Sequence, residues 1–421
     1  IMIKKIKIYI TLAAVAFSSV SCLDKYPEDA IPEGDAIRTV EEANQAVIGI
    51  YAYMKNPNLY SGLLTLLPDL QADLAYAVEG YTNTYGNIWR WDILPTNTEV
   101  EAVYGTLNAL IGKCNFLLER IAVLEQEVDD EDYEKLQQFK GEALFARALS
   151  YSDLIKMYCK AYDPATAADE LGVVLVSSYS NAGTLKRASL KDSYQFVLDD
   201  LAQSATCLKP DENENDESYY DTPYFTIYAV NALYARVYLN MQEWDKAIEY
   251  ASKVIDSRKF KLSSTTEMID SETSYYQYMW QYDHSTETIW KVGFTTTSYG
   301  GSLGQIFFNY DFNSFKPDYV PAEWVLNLYA DTDLRATTFF QFYRTGYEHG
   351  LQWPLLAKYF GNQEFYEQNI LHVTMPKVFR LSEQYLIRAE AYCQKSNPEY
   401  GKGANDLTTL RQARYSNYGS A

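Results

Sequence analysis

The sequence predicts a mainly α-helical protein in which helical hairpins stack side by side, with long irregular, partly β inserts between them. Three observations carry this expectation. Segment 135–160 places apolar side chains at Leu136, Phe139, Ala143, Ala146, Leu149, Tyr151, Leu154 and Tyr158, a helical period held for about seven turns. Segment 224–256 reads as two amphipathic helices around a short turn near Gln242. Small and aromatic residues recur at matching places, as Ala148 with Tyr151, Ala235 with Tyr238, and Ala389 with Tyr392.

Taken in order, residues 1–22 begin with Lys4, Lys5 and Lys7, followed by an apolar run from Ile8 to Val20. A run of about 13 residues is short of the roughly 20 that a bilayer-spanning helix requires, so it reads as a secretory signal. Ser18-Ser19-Val20-Ser21-Cys22 then resembles a bacterial lipoprotein box, with residues 1–21 as signal peptide and Cys22 as the lipidated first residue. An ordinary signal with an incidental cysteine is the alternative. Residues 22–39 form a tether, and 40–421 a single domain.

Within that domain the helix candidates are 40–54, 100–125, 135–160, 190–208, the pair in 224–256, 377–394 and a looser partner at 403–415. They group into hairpins around 100–160, 190–208, 224–256 and 377–415. In the third, Ala235, Tyr238, Trp244, Ala247, Ala251 and Val254 carry the signature of a tetratricopeptide hairpin: alanines let two helices approach, and Tyr and Trp fill the groove beside them. A regular array would repeat about every 34 residues. Here inserts at 56–99, 161–189 and 258–375 break the spacing and hold most of the Gly, Pro, Trp and clustered Tyr. Loops on a rigid scaffold are where binding residues concentrate, so 56–99 and 258–375 are the expected ligand-binding inserts.

Composition narrows the function. With 36 basic and 56 acidic residues the formal charge is −20, which repels a phosphate backbone and argues against a nucleic-acid partner. Tyrosine, at 39 against 18 phenylalanines, exceeds what a core needs and suggests flat, wettable binding surfaces. His284, His349 and His372 are the only histidines and none is spaced for a helical zinc site. Phosphate-binding loops, the dinucleotide fingerprint and the serine-hydrolase elbow are absent. Cys114, Cys159, Cys207 and Cys393 lie far apart in apolar segments and read as buried single thiols. The acidic run 211–217 offers oxygen ligands for a structural calcium, but has Asp216 where an EF-hand loop needs glycine and Thr222 where it needs glutamate. A solvated connector is the competing reading, and no other cofactor is expected.

Several stretches together resemble the SusD/RagB family of outer-membrane nutrient-binding lipoproteins. These are Cys22-Leu23-Asp24-Lys25-Tyr26-Pro27, Thr39-Val40-Glu41-Glu42-Ala43 with Gly49-Ile50-Tyr51, and Leu67-Pro68-Asp69 with Asp73. Gly141-Glu142-Ala143-Leu144-Phe145-Ala146-Arg147-Ala148 matches the family's G-E-A-x-F-x-R-A helix. Asp199-Asp200-Leu201-Ala202, Trp244-Asp245-Lys246-Ala247, and Arg380-Leu381-Ser382-Glu383 with Ala389-Glu390-Ala391 follow in order. The chain departs at Tyr158-Cys159-Lys160-Ala161-Tyr162-Asp163-Pro164, where the family shows Tyr-Gly-x-x-Pro. The resemblance implies a SusD-like fold, and a lipid anchor that holds the protein on the outer surface of the outer membrane. It also implies a SusC-like TonB-dependent transporter as partner, and capture of glycans, or in some relatives peptides, for uptake. It implies no chemistry.

A glycan presents apolar C–H faces and a rim of hydroxyls, so its site needs aromatic platforms flanked by hydrogen-bonding side chains. Two clusters qualify: Asp73, Tyr81, Asn83, Tyr85, Trp89, Arg90 and Trp91, and then Tyr278, Trp280 and Tyr282. In extended backbone Trp89 and Trp91 would share a face, as would Tyr276, Tyr278, Trp280 and Tyr282. The same spacing suits one side of a small core. A peptide- or protein-binding scaffold is the second reading. A glycoside hydrolase is the third, because it requires only two suitably placed carboxylates.

Overall fold

The computed structural model describes residues 36–78, 84–179, 185–208, 210, 220–347, 350 and 352–418. Cys22, Tyr81, Asn83 and the acidic run 211–217 lie outside them. The described residues form fifteen α-helices and eight short strands, the strands paired two by two in antiparallel ladders.

Helix α1 (Val40–Tyr53) starts in a reciprocal capping box, with the Thr39 hydroxyl accepting from the Glu42 amide and the Glu42 carboxylate from the Thr39 amide. Next come α2 (Leu63–Gln71), β1 (Ala75–Ala77) and α3 (Gly86–Trp89), then the long helices α4 (Thr98–Leu124) and α5 (Asp130–Tyr158). Strands β2 (Leu171–Val174) and β3 (Arg187–Ser189) lead into α6 (Leu190–Cys207), and α7 (Ile227–Asn240) pairs with α8 (Trp244–Ile255). The long insert contains α9 (Tyr275–Gln281), β4 (Thr288–Lys291), α10 (Gln305–Phe308), β5 (Tyr319–Pro321), α11 (Glu323–Leu326) and α12 (Arg335–Phe339). It continues through β6 (Phe340–Gln341), β7 (Leu355–Leu356) and α13 (Gln363–Tyr366) to β8 (Lys377–Arg380), which runs straight into α14 (Leu381–Gln394) and then α15 (Tyr400–Gln412).

The expected stack is present. Helix α5 packs against both α4 and α6, and α14 packs on α8 and pairs with α15. Ala235, Ala247, Ala251, Ile387 and Ala391 form one buried cluster, so the repeated alanines do allow α7, α8 and α14 to close on one another. Gly141 serves the same end, since a Cβ there would lie 2.7 Å from Cys207 Cβ and 2.8 Å from Leu208 Cγ. Of the four single thiols only Cys114 is buried; Cys159, Cys207 and Cys393 are partly exposed.

Bidentate ion pairs pin neighbouring helices. Arg147 on α5 donates Nε and Nη2 to Asp200 of α6 at 2.8 and 2.6 Å, and Nη1 to Asn115 of α4 at 2.7 Å. Arg236 on α7 donates in the same manner to Glu383 of α14, and Arg388 of α14 to Asp406 of α15.

Two expectations need correction. Residues 377–380 are not helical: β8 pairs with β4 in register Trp290↔Phe379 and Lys291↔Lys377. The insert 56–99 is not irregular throughout, because α2 lies inside it. That helix has two buried faces. Leu63, Leu64 and Leu67 join the main core, while Leu66 and Leu70 join a second apolar cluster with Leu303, Phe307, Phe308 and Tyr319. Helix α2 therefore ties the long insert to the helical stack.

Buried in that second region, His372 adopts a left-handed φ of 61°, stacks on Phe308 at 5.1 Å, and its Nδ1 lies 3.0 Å from the Phe360 carbonyl. Burial holds its pKa below the ordinary histidine value. The unfolded chain therefore takes up a proton that the fold resists, and stability falls as pH drops from about 6.5 through the lower native pKa. His372→Asn, which tolerates a positive φ, is expected to flatten that part of the stability profile in chemical denaturation between pH 7 and 5.

Candidate functional site

Beyond α2 the backbone leaves the helix through Asp73, whose φ is 55°. Three alternate carbonyls along this exit accept indole N–H groups: Gln71 from Trp91 at 2.9 Å, Asp73 from Trp324 at 3.0 Å, and Ala75 from Trp89 at 2.8 Å. The accepting residues span about 7 Å of chain on either side of Asp73 at most, so Trp89 and Trp91 from one segment and Trp324 from a distant one converge on one strip.

They face different ways. Trp89 turns inward against Tyr319, with ring centroids 6.3 Å apart. Trp91 remains 64% exposed and Trp324 43%, and Tyr76, from β1 where it opposes Val320, is 44% exposed. With their N–H groups committed to backbone carbonyls, Trp91 and Trp324 offer mainly apolar ring surface to solvent. Fixed rings also lose little rotamer freedom when a ligand stacks on them. Asp73, Asn87, Arg90 and Asp92 are exposed nearby in sequence, and Arg90 donates to Asn87 Oδ1 at 2.6 Å.

The expected same-face pairing of Trp89 and Trp91 is thus corrected. Residues 86–89 form one helical turn, and Trp91 follows in the left-handed region at φ 61°, so the two rings diverge. Tyr85 also has φ 60° and is half-buried against the core, not an open platform. Left-handed non-glycine residues cost on the order of 1–2 kcal/mol each. Asp73, Tyr85 and Trp91 concentrate that strain in one surface segment, a pattern that points towards function.

In the second cluster the extended reading is replaced by α9, capped by Ser274 and Gln277 in a reciprocal box. Residues two apart on a helix point to nearly opposite sides. Tyr276 and Trp280 accordingly turn inward, where they pack with Met279 and Phe339, and Trp280 is only 8% exposed. Tyr278 and Tyr282 stack on the outer side at 4.7 Å and 27°, with the His284 ring 6.2 Å from Tyr278. His284 Nδ1 is fixed 2.6 Å from Asp221 Oδ2.

The structure therefore brings together Asp73 and Trp91 of the expected residues, places Tyr278 and Tyr282 as a stacked pair on the outer side of α9, and turns Trp89 and Trp280 inward. Trp324 was not among the expected site residues, whereas Tyr76 belongs to the aromatic run that begins at Asp73. Trp324 carries no local signal because its partner carbonyl lies 251 residues away. Among the described residues no group of three His, Cys, Asp or Glu side chains is placed to hold a metal ion, and no helix is long and apolar enough to cross a membrane.

Known proteins share this architecture. A SusD superfamily protein from Bacteroides thetaiotaomicron superposes with a TM-score of 0.74 at 22% identity, covering 90% of this chain and 81% of that one. A putative sugar binding protein from Bacteroides vulgatus gives 0.73 at 23% identity, covering 91% and 80%. Surface glycan-binding protein A from Bacteroides uniformis gives 0.68 at 17%, covering 90% and 81%. In sequence, SusD-like protein P2 of Formosa agariphila is 23% identical over 257 residues, 60% of this chain and 46% of that protein, so the match spans less than half of the relative's length. The SusD-like family model described as "Starch-binding associating with outer membrane" matches residues 23–239, just over half of the chain, a span that includes the capping box of α1, the Gly141 contact and the Arg147–Asp200 pair. On that match, and with the helical stack beneath it, the chain belongs to the SusD-like family.

Proposed function

We propose that this protein captures glycans on the ledge formed by Trp91, Trp324 and Tyr76 and passes them, uncut, to a SusC-like TonB-dependent transporter. The carrying observation is the pair of exposed indoles tied to the Gln71 and Asp73 carbonyls. Sugar C–H faces stack on such rings, and Asp73, Arg90 and Asp92 supply acceptors and donors for the hydroxyls around them. Tyr278 and Tyr282 form a second stacking surface for a longer chain. The family description and the sugar- and glycan-binding names of two structural neighbours support this reading. Anchoring at the outer membrane through a lipid on Cys22 belongs to the same proposal.

A glycan array probed with the chain from residue 23 onward, beside a peptide panel, tests it. Binding to oligosaccharides, with no new reducing ends released on prolonged incubation, is the expected result. Peptide binding alone would favour the scaffold reading, and steady release of reducing ends would favour a hydrolase.

A further inference from the structure

Around the Trp280 ring, where residues of α2, α9 and β8 line one cavity, three cations gather. Lys358 sits in the 3-10 turn after β7 with its Nζ 4.8 Å from the Tyr359 ring centroid, 4.9 Å from Trp280 and 5.5 Å from Phe339. Among the described residues it makes no hydrogen bond and no ion pair. Two further cations face the same indole, Lys377 Nζ at 4.9 Å and the Arg380 guanidinium at 5.3 Å.

The carboxylates at hand are already shared. Asp283 binds Lys377 at 2.5 Å and also accepts from Thr374, Asn362 and the Met375 amide. Glu287 binds Arg414 at 2.6 Å and reaches Arg380 only at 3.3 Å. Asp69 of α2 acts on Lys358 through its charge without an ion-pair contact, and burial pushes its own carboxyl pKa up. Burial likewise drives the Lys358 ammonium down to about 8. The three ring contacts only partly offset the loss of water around the ammonium, and the repulsion from Lys377 and Arg380 adds to the cost.

A cavity of about 140 Å³ opens among these cations, lined by Tyr60, Thr65, Trp280, Lys358, Lys377 and Arg380. At roughly 30 Å³ per water it holds four or five waters, or one small oxyanion. The Trp280 ring forms one wall of the cavity, while its buried indole N–H lies beside the Tyr276 hydroxyl without a well-formed hydrogen bond. Among the described residues, an ammonium with no ion pair and a guanidinium held by one long contact to Glu287 share this small cavity, and both lack a close acceptor bearing negative charge.

We propose that this cavity is an oxyanion site that takes a sulfate, phosphate or carboxylate group between Lys358 and Arg380. The group belongs either to a free inorganic anion or to an acidic sugar. The site does not depend on the ledge: it would exist even if Trp91 and Trp324 bound nothing.

Isothermal titration with sodium sulfate, at an ionic strength held constant with sodium chloride, tests the site. Saturable sulfate binding is expected, weakened at least ten-fold in Lys358→Met and retained in Lys358→Arg, with the surface variant Lys402→Met unchanged. Parallel titrations with glucuronate and glucose separate the two sources. With glucose 6-sulfate titrated alongside, sulfate binding with neither glucuronate nor glucose 6-sulfate bound assigns a free anion; binding of either with glucose inert assigns an acidic sugar. Failure of both sulfate and glucuronate to saturate the wild-type protein overturns the proposal, and so does wild-type affinity in a folded Lys358→Met.

Discussion

Arg147→Ala is expected to lower folding stability by about 3–5 kcal/mol, a fifth or more of the roughly 5–15 kcal/mol that a protein of ordinary stability possesses. Among the described residues the guanidinium is the sole counterion of Asp200, whose side chain is 3% exposed, and it also holds Asn115. Removing it leaves a buried carboxylate and an amide oxygen without donors at the junction of α4, α5 and α6. The size of the effect comes from that orphaned charge rather than from the net strength of the pair. Arg147→Met with Asp200→Leu should therefore recover most of the loss, because an apolar pair of similar volume often replaces a buried ion pair at little cost. Urea unfolding monitored by circular dichroism checks both. A double variant no more stable than Arg147→Ala would show that the effect was lost packing.

Trp91→Ala with Trp324→Ala is expected to abolish glycan retention in native affinity gels without a change in melting temperature. Each ring should contribute about 1–1.5 kcal/mol of stacking, so losing both weakens binding roughly 30- to 150-fold. For a weak, multi-point site that removes detectable retention. Stability should hold because both rings are largely exposed and each gives up one hydrogen bond to a carbonyl that water can reach. Trp89→Ala is the contrasting case. Its ring packs in the second apolar cluster, so it should lower the melting temperature.

The helical stack was legible in the sequence because its physics is local and periodic. Leu136 to Tyr158 recur at the helical period, and the alanines of α7, α8 and α14 mark where backbones approach, so periodicity alone located those helices to within a few residues of their ends. Segment 275–282 misled for a physical reason. Tyrosine and tryptophan favour strands, and alternation was read where the Ser274…Gln277 capping box should have announced a helix start. That error turned one face into two, sending Trp280 inward and leaving Tyr278 and Tyr282 outside. At 377–380 the opposite happened, as a helical pattern was extended over residues that β4 claims. Trp324 and the cations around Trp280 depend on contacts across hundreds of residues, which no local window carries. The family resemblance supplied the class of ligand, whereas the direction in which each ring points came only from the fold.

The most direct measurement is a crystal structure of the protein with an oligosaccharide that it binds on the array. Sugar rings are expected to lie flat on Trp91 and Trp324, with hydroxyls within hydrogen-bonding distance of Asp73 or Arg90. An oligosaccharide seated elsewhere, with both indoles bare in solvent, would contradict it.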